Sequence, residues 1–360
     1  MPKVIGITSG IGSLQYGFHR SGWEVGNAHE WRKYYNTGTF ERNYGASVTE
    51  IYEPDPSDVG VDCIVSHPEC GNYSNLYTGP NASTRVADPG DIFQFINLAA
   101  QYQPKVFLCD NLPKSLQAVS VETWRNEFLD YRLYFEYISN WGYGSVQKNR
   151  KRLFVIGVHR DLDWYFVPCE KPHELTIRDV ISDLSPDTPN HQKMQLSDYT
   201  QWRGYQIGEP DRERLTLEEL QEWLKDVRWR TLFPYYNKKG EYKRRPGYYI
   251  VDPDHTGPVL SGGGGFFDNH WILDEEDLYY RPLTMRERLR IQGFGDDFIL
   301  VPEQFQYGTR DHQWLVKQTG KCMPTEFPYF FAKQLKEYLD NGVIADHEPS
   351  RLLDQSCVDI

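Results

Sequence analysis

The sequence predicts an α/β fold built on an open, largely parallel sheet, and three recurrences carry that expectation. Short apolar stretches lie at Lys3 to Thr8, Trp23 to Ala28, Asp62 to Ser66 and Lys105 to Cys109, as buried strands require. Each gives way to glycine, a polar cluster or a carboxylate, the punctuation of a strand that has stopped. Helical runs, such as the one through Leu14 and Phe18, occupy intervals between them. Ligands of open α/β sheets bind outside the carboxyl ends of the strands, so the residues just past each stretch are where function is to be sought.

The first strand runs into Ser9-Gly10-Ile11-Gly12-Ser13. A glycine-bearing turn between strand and helix lets a ligand approach the backbone closely. The second strand ends near Glu30, about twenty residues on, where a carboxylate can take ribose hydroxyls. Glu50 closes another short element. Together these favour a nucleoside-bearing ligand over a mere turn. The third strand ends in His67-Pro68-Glu69-Cys70-Gly71-Asn72-Tyr73-Ser74, which puts Cys70 on a loop at the ligand edge. There it is either a small buried hydrophobe or a presented nucleophile. The fourth brings Asp110-Asn111 to the same edge. The stretch from Trp124 to Trp141 is expected to be helical, and a strand from Leu153 to Val158 follows it. At the entrance to that strand Arg150 and Arg152 alternate by two, so both can point into a site while Lys151 points out.

Composition sets the bounds. The chain has 360 residues, 39% of them hydrophobic, enough for a full core and two lobes. Its six cysteines show no metal-ligand spacing and the amino terminus no signal pattern, so reduced thiols, a cytoplasmic setting and no membrane attachment are expected. A net charge of −12 argues against a general nucleic-acid coat but permits a local basic cleft. Basic runs occur at Lys148 to Arg152 and Lys238 to Arg245. The second is interleaved with Tyr235, Tyr236, Tyr242 and Tyr248, a composition suited to phosphate contact with base stacking.

Taken in order, these stretches resemble the DNA cytosine-C5 methyltransferase family. The resemblance rests on Gly10-Ile11-Gly12, Glu30, Pro68-Glu69-Cys70, Asp110-Asn111 and Arg150 to Gly157, then on Leu283 to Glu287, Ile291 to Phe298 and Gln318-Thr319-Gly320. It covers residue 4 to about residue 337, in the family's motif order. It implies a Rossmann-like, S-adenosylmethionine-dependent methyltransferase lobe with a smaller target-recognition domain. On this chain that means a catalytic and cofactor lobe at 1–160, a target-recognition region at 161–275, returning motifs and a C-terminal helix at 276–342, and a tail at 343–360. Within the recognition region a helix is expected from Thr216, which makes a capping box with Glu219 and carries the stripe Leu217, Leu220, Leu224 and Val227. The basic aromatic run 235–249 is expected to face DNA, the glycine run 262–265 to be a hinge or a close approach to DNA, and Phe327 to Leu339 to be a helix returning to the first lobe.

The resemblance also implies roles. Cys70 would add to C6 of a flipped-out cytosine, Asp110 would share a proton with N3, and Arg150 and Arg152 would hold the pyrimidine and nearby phosphate. The cofactor would lie over Gly10 and Gly12, its ribose on Glu30, its adenine beside Trp31 and its amino group near Glu50. The partner would be double-stranded DNA, bound by a monomer.

Several residues depart from the family pattern. Asp110 stands where the family has Glu, Glu69 where a second Pro is usual, Ser13 in place of the third glycine, and one extra residue follows Gln147. Lys321 replaces an asparagine that in the family lies near the donor's sulfonium. Like charges about 4 Å apart at an effective dielectric near 20 cost on the order of 4 kcal/mol. Lys321 must therefore turn to solvent, pair with Asp110 or Glu69, or meet a donor with a negative charge. Carboxy-S-adenosylmethionine is such a donor, and its use would make 5-carboxymethylcytosine. Ordinary methylation from S-adenosylmethionine and a DNA-binding relative without catalysis are the alternatives.

Overall fold

Val4 and Ile5 of β1 (Lys3–Ile7) and Cys63, Ile64 and Val65 of β4 (Cys63–Ser66) have no exposed surface. Strands apolar on both faces must be covered on both, and that requirement organises the structure. The computed structural model describes residues 1–30, 38–50, 55–73, 88–171, 173–194, 234–236, 242–244, 249–260, 262, 270–274 and 279–342. They fall into two units: Met1–Ser145 with Asn149–His173 and the chain from Cys322, and Val146–Lys148 with Glu174–Lys321.

The first unit holds a seven-stranded sheet in the order β3-β2-β1-β4-β5-β7-β6. Its other strands are β2 (Glu24–His29), β3 (Val48–Thr49), β5 (Val106–Asn111), β6 (Tyr131–Ser139) and β7 (Lys151–His159). Neighbours from β3 to β5 pair in parallel, and β7 runs antiparallel to both β5 and β6. The chain leaves β1 toward β2 and β3, then crosses back to β4, so the order reverses between β1 and β4, the position at which such sheets take ligands.

Strand periodicity divides the core in two. Cys63, Val65, Val106 and Leu108 pack on one face with Leu14 and Phe18 of α1 (Ser13–Arg20) and with Phe327, Phe331 and Leu335 of the C-terminal helix Glu326–Asn341. Ile64, Phe107 and Cys109 face the other way, onto Phe95 of α3 (Gly90–Tyr102) and Trp124 of α5 (Val121–Glu127), with α2 at Thr39–Tyr44 and α4 at Ser115–Ala118. The C-terminal helix lies close on α1, because a Cβ at Gly17 would come within 2.5 Å of the Tyr329 backbone nitrogen.

One expectation is corrected. The stretch from Trp124 to Trp141 is not a helix: α5 ends at Glu127 and Tyr131–Ser139 is strand β6. Tyr-Arg-Leu-Tyr-Phe-Glu-Tyr-Ile-Ser is rich in aromatic residues that suit a pleated surface, and pairing with β7 along its whole length decides the matter.

In the second unit, α6 (Ile177–Ile181) and α7 (Met285–Ile291) each begin with a capping box, Thr176 with Asp179 and Thr284 with Glu287. Their apolar residues join Val146, Val251, Leu260 and Ile272 in one core. The unit also holds the strand pair β8 (Pro234–Tyr236) and β9 (Tyr242–Arg244), the sheet β10 (Tyr249–Ile250), β11 (His270–Asp274) and β12 (Tyr279–Pro282), and the helix Arg310–Lys321. The basic aromatic run thus contributes two antiparallel strands. Of the glycine run, Gly262 is described, and a Cβ there would meet the Lys317 carbonyl oxygen at 3.3 Å. The approach it permits is to the Arg310–Lys321 helix. The helix expected from Thr216 and the tail 343–360 lie outside the described residues. Among the described residues no helix is long and apolar enough to cross a membrane.

Candidate active site

The turn after β1 is built from backbone conformations that side chains resist. Thr8, Gly10 and Gly12 all have positive φ, at 53°, 57° and 85°, a region glycine enters without steric cost. A Cβ at Gly10 would meet nothing within 4 Å, whereas one at Gly12 would strike Tyr44 at 2.6 Å. Gly12 is therefore required by packing, and Gly10 leaves an open surface. The Gly10 N–H donates to Glu30 Oε2 at 3.1 Å, and Glu30 is 6% exposed. Glu30 N–H in turn donates to the Thr49 carbonyl at 2.9 Å, so Glu50, the exposed residue after β3, stands at the same edge. Trp31 lies outside the described residues.

Across the switch point, the Thr8 and Ser66 hydroxyls are 2.9 Å apart and tie the ends of β1 and β4 together. The loop that follows carries Cys70, which is half-buried. Glu69 braces this loop: its backbone N–H donates to Asp91 Oδ2 at 3.1 Å, and its carboxylate accepts from the Gly71 N–H at 3.0 Å. Burial pushes the core thiols of Cys63 on β4 and Cys109 on β5 well above the ordinary thiol range, which leaves them protonated and unreactive.

Asp110, at the end of β5, is fully buried. His67 Nδ1 lies 2.5 Å from its Oδ1, and Arg152 Nε donates to its Oδ2 at 2.8 Å. Burial drives this carboxyl upward, but the Arg152 guanidinium and His67 outweigh it and hold Asp110 below the usual carboxylate range. The antiparallel course of β7 explains why Arg152 is there, since pairing of Asn111 with Leu153 brings the start of β7 to the carboxyl end of β5. Arg150 and Arg152 are buried and Lys151 exposed, as their alternation requires. Arg150 donates from Nη2 to the Cys322 carbonyl at 2.6 Å. Burial and the like charge of Arg152 push Arg150 down to about 10, still a cation at neutral pH. For Arg152 burial acts downward, but Asp110 and a hydrogen bond with Cys70 raise it overall.

The structure thus gathers Cys70, Asp110, Arg150 and Arg152 at one half of the edge and Gly10, Gly12, Glu30 and Glu50 at the other. Lys321 belongs to the second unit, as the last residue of the Arg310–Lys321 helix. The residue that sequence reasoning missed is His67. Its one signal was its place three residues before Cys70, and its contact with Asp110 spans 43 positions.

Residues 2–337 match the family model described as C-5 cytosine-specific DNA methylase. The type II methyltransferase M.MthTI of Methanothermobacter thermautotrophicus is 25% identical over 362 residues, covering 93% of this chain and 97% of that protein. M.NgoPII of Neisseria gonorrhoeae, also a type II methyltransferase, is 26% identical over 359 residues, covering 94% and 96%. Among solved structures, S. pombe Dnmt2 methyltransferase superposes with a TM-score of 0.59 at 14% identity, over 94% of this chain and 99% of that one, a likeness that speaks for the fold alone.

Proposed function

This chain belongs to the C-5 cytosine-specific DNA methylase family, and on that premise we propose that it transfers a carboxymethyl group from carboxy-S-adenosylmethionine to cytosine C5 in double-stranded DNA. The family's chemistry makes it a transferase dependent on S-adenosylmethionine or a close analogue. The residues fit such a donor: Gly10 offers backbone with open space above it, and the buried Glu30 carboxylate stands beside it to accept hydroxyls. When bound, the donor supplies an electrophilic carbon on a sulfonium.

Cytosine C5 is a poor nucleophile, and the duplex hides it. The base is first flipped out, at a cost of a few kcal/mol. Cys70 Sγ then adds to C6, with Arg152 hydrogen-bonded at its side. As the Sγ–C6 bond forms, the C5=C6 pair shifts toward C4 and N3 takes a proton shared with Asp110. Arg150 and Arg152 hold the pyrimidine oxygen and adjoining phosphate. Loss of the C5 proton to water after transfer restores the C5=C6 bond, expels Cys70 and frees N3. The first unit serves as the catalytic lobe, and the second supplies target recognition, with the β8–β9 pair on the DNA.

The observation that carries the donor reading is Lys321. Its covalent neighbour Cys322 accepts the Arg150 guanidinium through its carbonyl, and Met323 N–H donates to Ser13 Oγ at 3.1 Å in the glycine turn. Lys321 stands where the family pattern has an asparagine near the donor's sulfonium. There it would repel an ordinary sulfonium and attract a carboxylate.

The test is calorimetric titration of the unmutated protein and Lys321→Asn with both donors. The variant should lose about 1.5 to 3 kcal/mol toward carboxy-S-adenosylmethionine and gain affinity for S-adenosylmethionine, so that the preference inverts. Nucleoside mass spectrometry should then find 5-carboxymethylcytosine from the unmutated protein and 5-methylcytosine from the variant. Equal affinity of the unmutated protein for both donors overturns the carboxymethyl reading and leaves methyl transfer.

A further inference from the structure

We propose that His67 is a positioning residue that supplies, through Asp110, the proton taken by cytosine N3. This deepens the reading above and rests on it. The geometry is specific: His67 Nδ1 stands 2.5 Å from Asp110 Oδ1, on an acid with no exposed surface. Arg152 occupies the other oxygen through Nε at 2.8 Å and Nη2 at 2.7 Å. A carboxyl sealed from water cannot draw its proton from bulk solvent. Arg152 favours its anionic form, so a proton must be delivered to it from a neighbour that can also take it back. Among the described residues His67 is the one titratable partner bonded to Asp110 other than an arginine, and its side chain keeps 11% of its surface open. Imidazole exchanges protons near neutral pH, which a guanidinium does not.

The step balances. As Cys70 Sγ bonds to C6, the C5=C6 pair moves to C4–C5 and the C4=N3 pair takes up a proton from the Asp110 carboxyl, to which His67 Nδ1 has passed its own. Asp110 ends as the anion it began as, and His67 as neutral imidazole. After alkyl transfer C5–H leaves as a proton to water, the C6–Sγ bond breaks, and the N3 proton returns to Asp110 and then to His67. Asp110 is one methylene shorter than the glutamate of the family pattern, and His67 stands behind it as part of the acid unit.

The charged and titratable groups around His67 include Asp110 on β5, Arg152 on β7 with Arg150 just before it, Glu69 and Cys70 on its own loop, and Asp91 on α3, which meets that loop at Glu69. Of these, His67 is placed against Asp110 through a ring nitrogen that can pass a proton to it, which the arginines cannot do. The relay requires the form that carries a proton on Nδ1.

The experiment follows covalent capture on a 5-fluorocytosine duplex under single-turnover conditions from pH 5.5 to 9. The unmutated protein is compared with His67→Asn and His67→Gln, whose amides keep a hydrogen bond to Asp110 without a titratable proton. In the variants the basic limb should move to lower pH by at least one unit, with capture at pH 8 falling at least about tenfold and recovering partly at pH 6. A merely structural role would lower capture evenly and leave the limb in place, which overturns the proposal. The unmutated protein alone gives a second readout, in mixtures of H2O and D2O. A bowed proton inventory is expected from two protons moving together, and a linear one overturns the relay. Capture by all three proteins with superimposable pH profiles sinks the His67 proposal and leaves the cysteine mechanism standing. No capture by the unmutated protein at any pH sinks both.

Discussion

Two clusters built on buried arginines, one in each unit, show how the same residue types serve different ends. Arg281 in the second unit gives Nη1 and Nη2 to the two oxygens of Glu287 at 2.7 Å each and Nε to Asp274 at 2.7 Å. Lys193 reaches Asp274 at 3.1 Å, so two cations meet two carboxylates, and Glu287 is further tied to the Thr284 backbone as half of a capping box. The charges are matched within the cluster. At the start of β7 Arg152 bonds the single carboxylate of Asp110 while Arg150 stands nearby, with a thiol and an imidazole beside them. That cluster carries surplus positive charge on a sheet edge, which favours an anionic ligand. Bidentate arginines are common to structure and function, and what separates them is whether the protein itself completes the neutralisation.

The sharpest break of the comparison is at Cys70. Cys70→Ser should abolish transfer and covalent capture on 5-fluorocytosine DNA while leaving the urea midpoint within about 0.5 kcal/mol of the unmutated protein, as expected of a substitution outside the packed core. A serine variant with full activity would remove the covalent mechanism. Asp110→Asn comes next. Loss of the acid should lower single-turnover rate by about 10² to 10⁴-fold, whereas Arg281→Met should leave the buried Glu287 carboxylate without its guanidinium and Asp274 with Lys193 alone, and cost about 3 to 5 kcal/mol of stability in urea unfolding. If Arg281→Met were as stable as the parent, the neutral cluster would not be structural and the contrast would fail.

How far this was legible follows from how local each signal is. The turn at Gly10 and Gly12, the carboxylates at Glu30 and Asp110 and the alternation of Arg150 with Arg152 were readable because each depends on a few consecutive residues and the end of one strand. Tyr131–Ser139 misled because its apolar spacing suits a helix as well as a strand, and only the pairing with β7 resolves it. His67 was invisible as a partner of Asp110, since the parallel pairing of β4 with β5 brings together residues 43 apart. The core of the second unit likewise joins Val146 to Ile177, Val251 and Leu283, a grouping that no local pattern announces. The Glu69 carboxylate accepts from the Gly71 N–H, so this departure from the family pattern takes part in bracing its own loop.

A half-buried carboxyl with one sealed oxygen sharpens the comparison by making no ion pair among the described residues. Glu326 opens the C-terminal helix, and its Oε2 has no hydrogen-bond partner among the described residues. Burial pushes its carboxyl up to about 7, against weaker pulls from backbone N–H groups and from Arg20. Asp110, with Arg152 upon it, moves the opposite way. The two therefore contribute to stability with opposite pH dependence. Asp110 stabilises above its unfolded value near 4 and loses that contribution only as pH falls through its lower folded value. Glu326 is protonated in both states below about 4.5, and between there and about 7 the unfolded chain releases a proton that the folded one retains, so stability falls as pH rises. Above that the cost is complete. Glu326→Gln, which keeps the shape of the protonated acid, should match the parent in urea unfolding at pH 4 and exceed it by roughly 1 to 3 kcal/mol at pH 8. Equal midpoints at both pH values would mean that water or a cation already satisfies Glu326. The direction in which a buried carboxyl shifts would then depend on more than whether a guanidinium touches it.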